Sequence, residues 1–416
     1  MSTTPAVLPL RERARIVNTL TAKRLETLLP QVMRETDFDM WLIICHEDNH
    51  DPVFNTLIPW ECWAPILQMV VFYDNGSEIE RINISRTNMQ GLMSPSPWNP
   101  DSEEEQWACL KRIIGERNPK CIGINQSETT WAADGLTAAL KEKLTQTLGT
   151  ERASRLTSAE TLCIRWLETL IPEEMELYHH ANAIAHHLIR KVFSRETITP
   201  GITTIEDMRW AYWQNAADLG LQVSFPPFYR IYRSETNKAI YGDEPIVRHG
   251  DMLHCDVGVL YFRLNTDHQE LAYVLRPGET DAPDGLKHGM AEGNRLQDIF
   301  TSSWEIGLSG NDILARALQQ GNEANIPNPK IYSHSLGHFL HEPGPLMGLP
   351  WDQGNIPGRG DVVMNANTCY TVELSVTAPV PEWGNQEVPF PLEQDAYITE
   401  EGVTCIHGRQ TKFHLI

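Results

Sequence analysis

The sequence predicts an α/β domain over residues 1–160, followed by an α+β domain over residues 161–416. Three observations carry this. The 416 residues exceed one ordinary domain. The first 160 residues alternate short apolar runs with helical periodicity. Beyond residue 170 a long amphipathic helix opens a second series of helices and strands.

The elements follow in order. Residues 8–35 read as a helix leading to the apolar run Asp39-Met-Trp-Leu-Ile-Ile-Cys45, suited to a buried strand. Leu67–Tyr73 and Ile79–Ile84 flank Asp74-Asn75-Gly76, a type I′ hairpin signal because Asn-Gly accepts positive φ. A strand at Cys121–Ile124 and a helix at Trp131–Leu148 complete the first domain. It has neither G-x-G-x-x-G nor a P-loop, so nucleotide binding has no support. Pro172-Glu173-Glu174 is a good helix start, with proline in the first turn and acids at the positive end of the dipole. Leu177, Ala181, Ile184, Leu188 and Val192 then mark one apolar face. His179, His180, His186 and His187 lie on the same helix but do not converge on one point, so packed or solvated histidines are expected there. A second helix over Thr204–Leu219 precedes the Pro226-Pro227 break. Strands are expected at 252–260 and 267–275, two helices within 285–325, and strands at 367–377 and 387–399. Tyr261-Phe262 is a poor two-residue turn, so a bulge or wider bend is expected between the first two strands. Arg359-Gly360-Asp361 reads as a turn before a strand.

Composition excludes several function classes. A net charge of −21 offers no basic face for phosphates and argues against a nucleic-acid partner. The eight cysteines are dispersed without a Cys-x-x-Cys, which fits a reducing cytoplasm better than a disulfide framework or a structural zinc site. Arg11, Arg13 and Arg15 follow the N-terminus without an apolar core, so no signal peptide is expected. No apolar run approaches the ~18 residues of a membrane span.

Five residues of the second half select a reaction class. Asp256 lies in His-Cys-Asp-Val-Gly (254–258), and Asp267 follows eleven positions later in Leu-Asn-Thr-Asp. His334 opens His-Ser-Leu-Gly-His-Phe-Leu-His-Glu-Pro (334–343), Glu373 sits in Tyr-Thr-Val-Glu-Leu, and Glu393 in Leu-Glu-Gln-Asp-Ala-Tyr. Four carboxylates and one imidazole suit hard or borderline divalent ions such as Mn²⁺, Co²⁺, Fe²⁺ or Zn²⁺. Carboxylates can bridge two such ions, and a water held between them becomes a nucleophile at neutral pH.

This order resembles the pita-bread metallohydrolases: aminopeptidase P, prolidase, creatinase and methionine aminopeptidase. His341, seven positions after His334 and within His341-Glu342-Pro343, supplies a further element of the pattern. The resemblance covers roughly Leu170 to the C-terminus, and the N-terminal part more loosely. It implies a pita-bread catalytic domain binding two divalent ions, Mn²⁺ first among them, through Asp256, Asp267, His334, Glu373 and Glu393. It implies a hydrolase working through a metal-bridging hydroxide, with Glu373 relaying the proton and His341 facing the substrate. A Xaa-Pro aminopeptidase or dipeptidase is the leading expectation. Three departures bear on specificity. Tyr241 stands nearest to where family peptidases carry a His before the first Asp ligand, Pro391 stands where an Arg is common, and Glu373 is followed by Leu374-Ser375 rather than Pro-Gly. His338 is an extra histidine in the motif. A creatinase-like or lyase-like enzyme on a small non-peptide metabolite is therefore the alternative, and an inactive pita-bread binding protein a third reading. Relatives commonly dimerise, so a homodimer is expected, with the aromatic segment Pro59-Trp60-Glu61-Cys62-Trp63 near a substrate pocket.

Overall fold

The computed structural model describes residues 5–416. The chain divides into two compact units, Leu8–Ile171 and a larger one containing Pro172–Ile416.

The first unit is built on a five-stranded sheet of β1 (Met40–His46), β2 (Leu67–Asp74), β3 (Ile79–Asn83), β4 (Ile122–Ile124) and β5 (Leu156–Ser158), in the order β3-β2-β1-β4-β5. β1 pairs antiparallel with β2 and parallel with β4. Met40 to Cys45 are all buried, as a central strand covered on both faces requires. Residues 8–35 form α1 (Leu10–Lys23), a π-helical turn (Arg24–Leu28) and α2 (Leu29–Glu35). The π turn carries the buried Arg24, whose guanidinium lies 4.6 Å from the Trp166 ring and donates to Thr169 O at 2.7 Å. The remaining helices are α3 (Pro52–Leu57), α4 (Gln106–Arg117), α5 (Ala138–Ala153) and α6 (Glu160–Glu168).

Two local expectations are corrected here. The β2–β3 hairpin turns over four residues, and Gly76 alone takes positive φ (91°), so the type I′ turn does not form. The Asn75 side chain instead accepts from Ser77 N and Glu78 N, both at 3.0 Å, and folds the loop by itself. The helix expected from Trp131 starts at Ala138, capped by Thr137, after a short 3₁₀ turn at Trp131–Ala133.

The second unit opens with α7 (Pro172–Val192) and α8 (Ile205–Asp218), the latter started by a Thr204/Asp207 capping box. Its strands are β6 (Gln222–Val223), β7 (Phe228–Tyr232), β8 (Met252–Val257), β9 (Val259–Tyr261), β10 (Leu264–Asn265), β11 (His268–Tyr273), β12 (Lys330–Ile331), β13 (Ser335–Leu336), β14 (Thr368–Thr371), β15 (Leu374–Val380), β16 (Gln386–Leu392), β17 (Asp395–Thr399), β18 (Gly402–Cys405) and β19 (His414–Leu415). They form short sheets ordered β10-β9-β6, β19-β11-β8-β7, β12-β15-β16 and β13-β14-β17-β18. The helices α9 (Glu235–Tyr241), α10 (Asp284–Ser302) and α11 (Gly310–Glu323) complete the unit. No described helix is long and apolar enough to cross a membrane.

α10 lies unusually close to β16. A Cβ on Gly289 would meet the Phe390 ring at 2.1 Å, and one on Gly293 would meet Leu392 at 2.8 Å. Glycine there lets the helix back press against the strand that delivers Glu393.

The bend between β9 and β10 also departs from expectation. Phe262 and Arg263 sit at φ 54° and 64° and link Tyr261 to its partner Leu264, a two-residue turn with both central residues at positive φ. The irregularity of this long hairpin lies instead at Gly258, where a Cβ would stand 1.9 Å from the Thr266 carbonyl oxygen. Arg359–Asp361 is a 3₁₀ turn, and no strand begins until Thr368.

The α7 histidines point to separate partners. His186 meets Glu270 at 2.7 Å, while His179 and His180 lie edge-on to Tyr397 and Tyr261. His414 reaches the other Glu270 oxygen at 2.5 Å. Burial raises the Glu270 pKa, but these two hydrogen bonds outweigh it and hold the carboxylate below its ordinary range.

Candidate metal centre

Strand pairing builds the site as a row. Phe228 pairs with Asp256 across β7–β8, Asp256 with Gln269 across β8–β11, and Gln269 with Glu393 through a single bridge. Leu374 opposite Leu392 brings Glu373 beside Glu393, and Tyr332 N donates to Glu373 O at 3.1 Å. Directly opposed residues share a face, so four distant stretches of chain deliver their polar side chains to one surface.

Three of the five ligand candidates close on one point. Donor atoms of Asp267, His334 and Glu393 all lie within 4.8 Å of one another, and all three residues are buried. His334 Nδ1 donates to Ser335 O at 3.1 Å, which leaves Nε2 facing Asp267 Oδ2 at 3.6 Å and Glu393 Oε1 at 4.0 Å. Asp267 Oδ1 and Glu393 Oε1 are buried without a hydrogen-bond partner. Asp256 and Glu373 are half-buried and stand outside this three-residue group. Glu373 is tied to it through Gln269, whose Nε2 donates to Glu373 Oε1 at 2.6 Å and to Glu393 Oε2 at 2.8 Å.

The electrostatics ask for a cation. Burial pushes Asp256 up to about 7. Asp267, Glu373 and Glu393 are raised well above the carboxylate range, first by burial and then by the charge of neighbouring carboxylates, Asp256 acting on all three. Burial, with His341 nearby, pushes His334 down to about 3, so its imidazole is a neutral donor. Partnerless acceptor oxygens, repelling carboxylates and a neutral imidazole are the donor set of a divalent ion. The residues fit the ions that the sequence implies.

Around this group, His341 is exposed, and its ring centroid lies 4.4 Å from that of His334. Desolvation, then the charge of Arg359, lowers its pKa. The neighbouring Glu342 is fully buried and accepts from Phe339 N at 2.9 Å, so it fastens the loop. His338 turns away to Glu174 on α7, 3.2 Å distant. Tyr241 lies under Arg248, 4.6 Å from its guanidinium carbon.

Sequence reasoning missed three neighbours. Gln269 follows Asp267 by two positions, and the alternation of a strand could have flagged it. Asp395, two positions after Glu393, accepts from Asp267 N at 3.2 Å. Arg359 donates to Glu342 O at 2.5 Å, and its Nε is buried without a partner.

A profile of metallopeptidase family M24 matches residues 176–400, which contain all five ligand candidates and His341. No curated protein sequence matches the chain. Solved structures do. The X-Pro aminopeptidase from Thermotoga maritima superposes with a TM-score of 0.66 at 15% identity, covering 93% of this chain and 100% of that one. The Xaa-Pro dipeptidase from Bacillus anthracis gives 0.59 at 15%, covering 97% and 100%. The prolidase from Pyrococcus furiosus gives 0.55 at 14%, covering 92% and 98%. An N-terminal domain followed by a pita-bread catalytic domain is thus the architecture, and the chain belongs to metallopeptidase family M24.

Proposed function

We propose that this protein is a metal-dependent hydrolase of Xaa-Pro peptides, an aminopeptidase or dipeptidase. The observation that carries the reading is the buried Asp267–His334–Glu393 group with its partnerless oxygens, inside the region that matches the family. Asp256, Asp267, His334, Glu373 and Glu393 would hold two divalent ions, Mn²⁺ first, with Co²⁺, Zn²⁺ and Fe²⁺ as substitutes. Bound ions supply Lewis acidity and an acidified water. In this reading Glu373 carries a proton toward the leaving nitrogen. His341, exposed beside His334, donates to the substrate's carbonyl oxygen as negative charge develops there. The Arg359 guanidinium, half-buried with a partnerless Nε, suits a peptide's terminal carboxylate.

One observation favours a second reading, an enzyme on a small non-peptide metabolite. Tyr241, nearest to the missing family histidine, is engaged with Arg248. The deciding experiment loads the purified protein with Mn²⁺, Co²⁺ or Zn²⁺ and screens Xaa-Pro di- and tripeptides beside amidino, betaine and sulfonium metabolites. Chelator-sensitive cleavage of Xaa-Pro bonds is expected. Turnover of a metabolite without peptide cleavage establishes the second reading, and ion binding without any turnover points to a binding protein. We further propose a cytoplasmic homodimer. A light-scattering mass of one chain at micromolar concentration would refute the dimer.

A further inference from the structure

We propose that Arg230 makes this protein select Xaa-Pro substrates whose first residue carries a negative charge. The inference rests on the Xaa-Pro reading above and narrows it, because that reading leaves the first residue open.

β7 is an end strand of its sheet, and Phe228, Arg230 and Tyr232 alternate along it. Phe228 stands opposite Asp256, Arg230 opposite His254 and Tyr232 opposite Met252, so the three side chains share the face that carries the Asp256 carboxylate. His254 is buried, its ring centroid 6.3 Å from those of both Phe228 and Tyr232. The Arg230 guanidinium carbon lies 5.2 Å from the Phe228 ring and 5.9 Å from the Tyr232 ring, and Nη1 donates to Tyr232 Oη at 3.4 Å. Two aromatic rings thus hold the cationic head in place while its other N–H groups stay open.

Arg230 is exposed and, among the described residues, has no carboxylate within ion-pair distance. Its neighbours differ. Arg233 is closed on Asp251 at 2.8 Å and Arg248 on Glu244 at 2.6 Å, so both serve the fold. A guanidinium held by two rings but left without an anion keeps its fork free for a carboxylate.

A second arginine marks the opposite end of the centre. Arg359 donates to Glu342 O, next to His341, whose ring stands against His334. Arg359 therefore lies at the His334 end of the row and Arg230 at the Asp256 end. A dipeptide whose terminal carboxylate meets Arg359, as proposed above, lays its first residue toward Arg230. Glutamate or aspartate there brings a carboxylate to the guanidinium, whereas lysine brings a second cation.

The test compares kcat/KM of the Mn²⁺-loaded full chain on Glu-Pro, Ala-Pro and Lys-Pro. It uses the wild type, Arg230→Met, which keeps the stem against the rings, and Arg230→Glu. The wild type should prefer Glu-Pro to Lys-Pro by about 10- to 100-fold, the weight of one charge-assisted hydrogen bond, and chiefly through KM because the contact forms on binding. That ratio should fall at least about tenfold in Arg230→Met and invert in Arg230→Glu. Calorimetry of chelator-treated protein with the same dipeptides reads the ratio without turnover, and it should shift in the same direction. Indifference of the wild type to the charge of the first residue overturns the proposal, whether or not the variants fold. So does an Arg230→Met variant that slows on all three peptides alike, the mark of an arginine that only braces the strand edge. Either result leaves the Xaa-Pro reading standing, whereas a wild type that cleaves none of the three defeats both.

Discussion

His341 shows how one residue's position separates two roles. It lies outside the three-residue ion group, its ring stands edge-on to His334, and its neighbour Glu342 fastens the loop. His341→Ala should therefore retain bound metal and melting temperature while losing about 10²–10³ in kcat, the usual loss for one oxyanion donor. Metal content, melting temperature and kcat measured on one sample check this; loss of metal would make His341 a ligand. The titrating groups give a second expectation. Burial holds Asp256 at about 7 against an ordinary 3.8, so the metal-free native state keeps a proton that the unfolded chain releases. That stabilisation is complete below about pH 4 and is lost as pH rises through about 7. His334 and His254, held at about 3 and about 4 instead of 6.5, act with the opposite sign. Both become largely neutral in either state only above about pH 7.5. From about pH 7.5 to 8.5, where Asp267, Glu373 and Glu393 are raised as well, metal-free protein should therefore lose stability, while ion binding strengthens because it expels protons. Melting curves with and without chelator across this window test it, and a metal-free melting temperature that climbs with pH contradicts it. The ligand candidates could be read from sequence because each sits in a distinctive local motif. Strand alternation from Asp267 could have placed Gln269 on the same face, but its partners, like the role of Asp395, come from cross-strand register between segments more than a hundred residues apart.

At the scale of elements, the long periodic helices were legible and the turns were not. α7, α8 and α10 carry apolar faces with 3.6-residue spacing, a signal that survives any tertiary context. Asn75-Gly76 failed to give its expected turn because the Asn75 side chain captured the backbone. Phe262-Arg263 took positive φ against its intrinsic preference because Phe262 is buried and Asn265 N, just beyond, donates to Gly337 O at 2.8 Å. The surroundings impose that strain, as they do near functional sites. The α10–β16 contact allows a measurable test. Gly289→Ala gains helix propensity worth about 1 kcal/mol but drives a Cβ to 2.1 Å from the fully buried Phe390 ring. Overpacking of this kind costs about 1–3 kcal/mol, so net destabilisation and weaker ion binding through displaced Glu393 are expected. Gly321→Ala on α11 has its nearest contact at 3.4 Å and should be neutral or stabilising. Denaturant midpoints of the two variants, read beside ion affinity, decide whether the helix back sets the position of the ligand strand. Equal midpoints would show that it does not.

At the scale of the molecule, the two units bury separate apolar clusters. One gathers Met40, Leu42, Ile44, Val71, Ile113 and Leu144 in the first unit, and the other Leu286, Phe300, Leu374, Phe390 and Leu392 in the second. All the ligand candidates belong to the second. An ion bound only to the folded site stabilises what it is bound to, by about 2.7 kcal/mol at a hundredfold excess over its dissociation constant. Repelling carboxylates in the metal-free site are the groups whose charge the ion offsets. Hydrogen exchange of the full chain with and without Mn²⁺ should therefore slow in the strands around Asp256, Asp267, Glu373 and Glu393, by up to about a hundredfold where exchange requires opening of that unit. Amides of β1, β2 and β4 in the first unit should exchange at unchanged rates. Protection that rises equally in both units would show that they open together and that the site stabilises the chain as a whole. Protection confined to the first unit would place the ion elsewhere than at Asp267, His334 and Glu393.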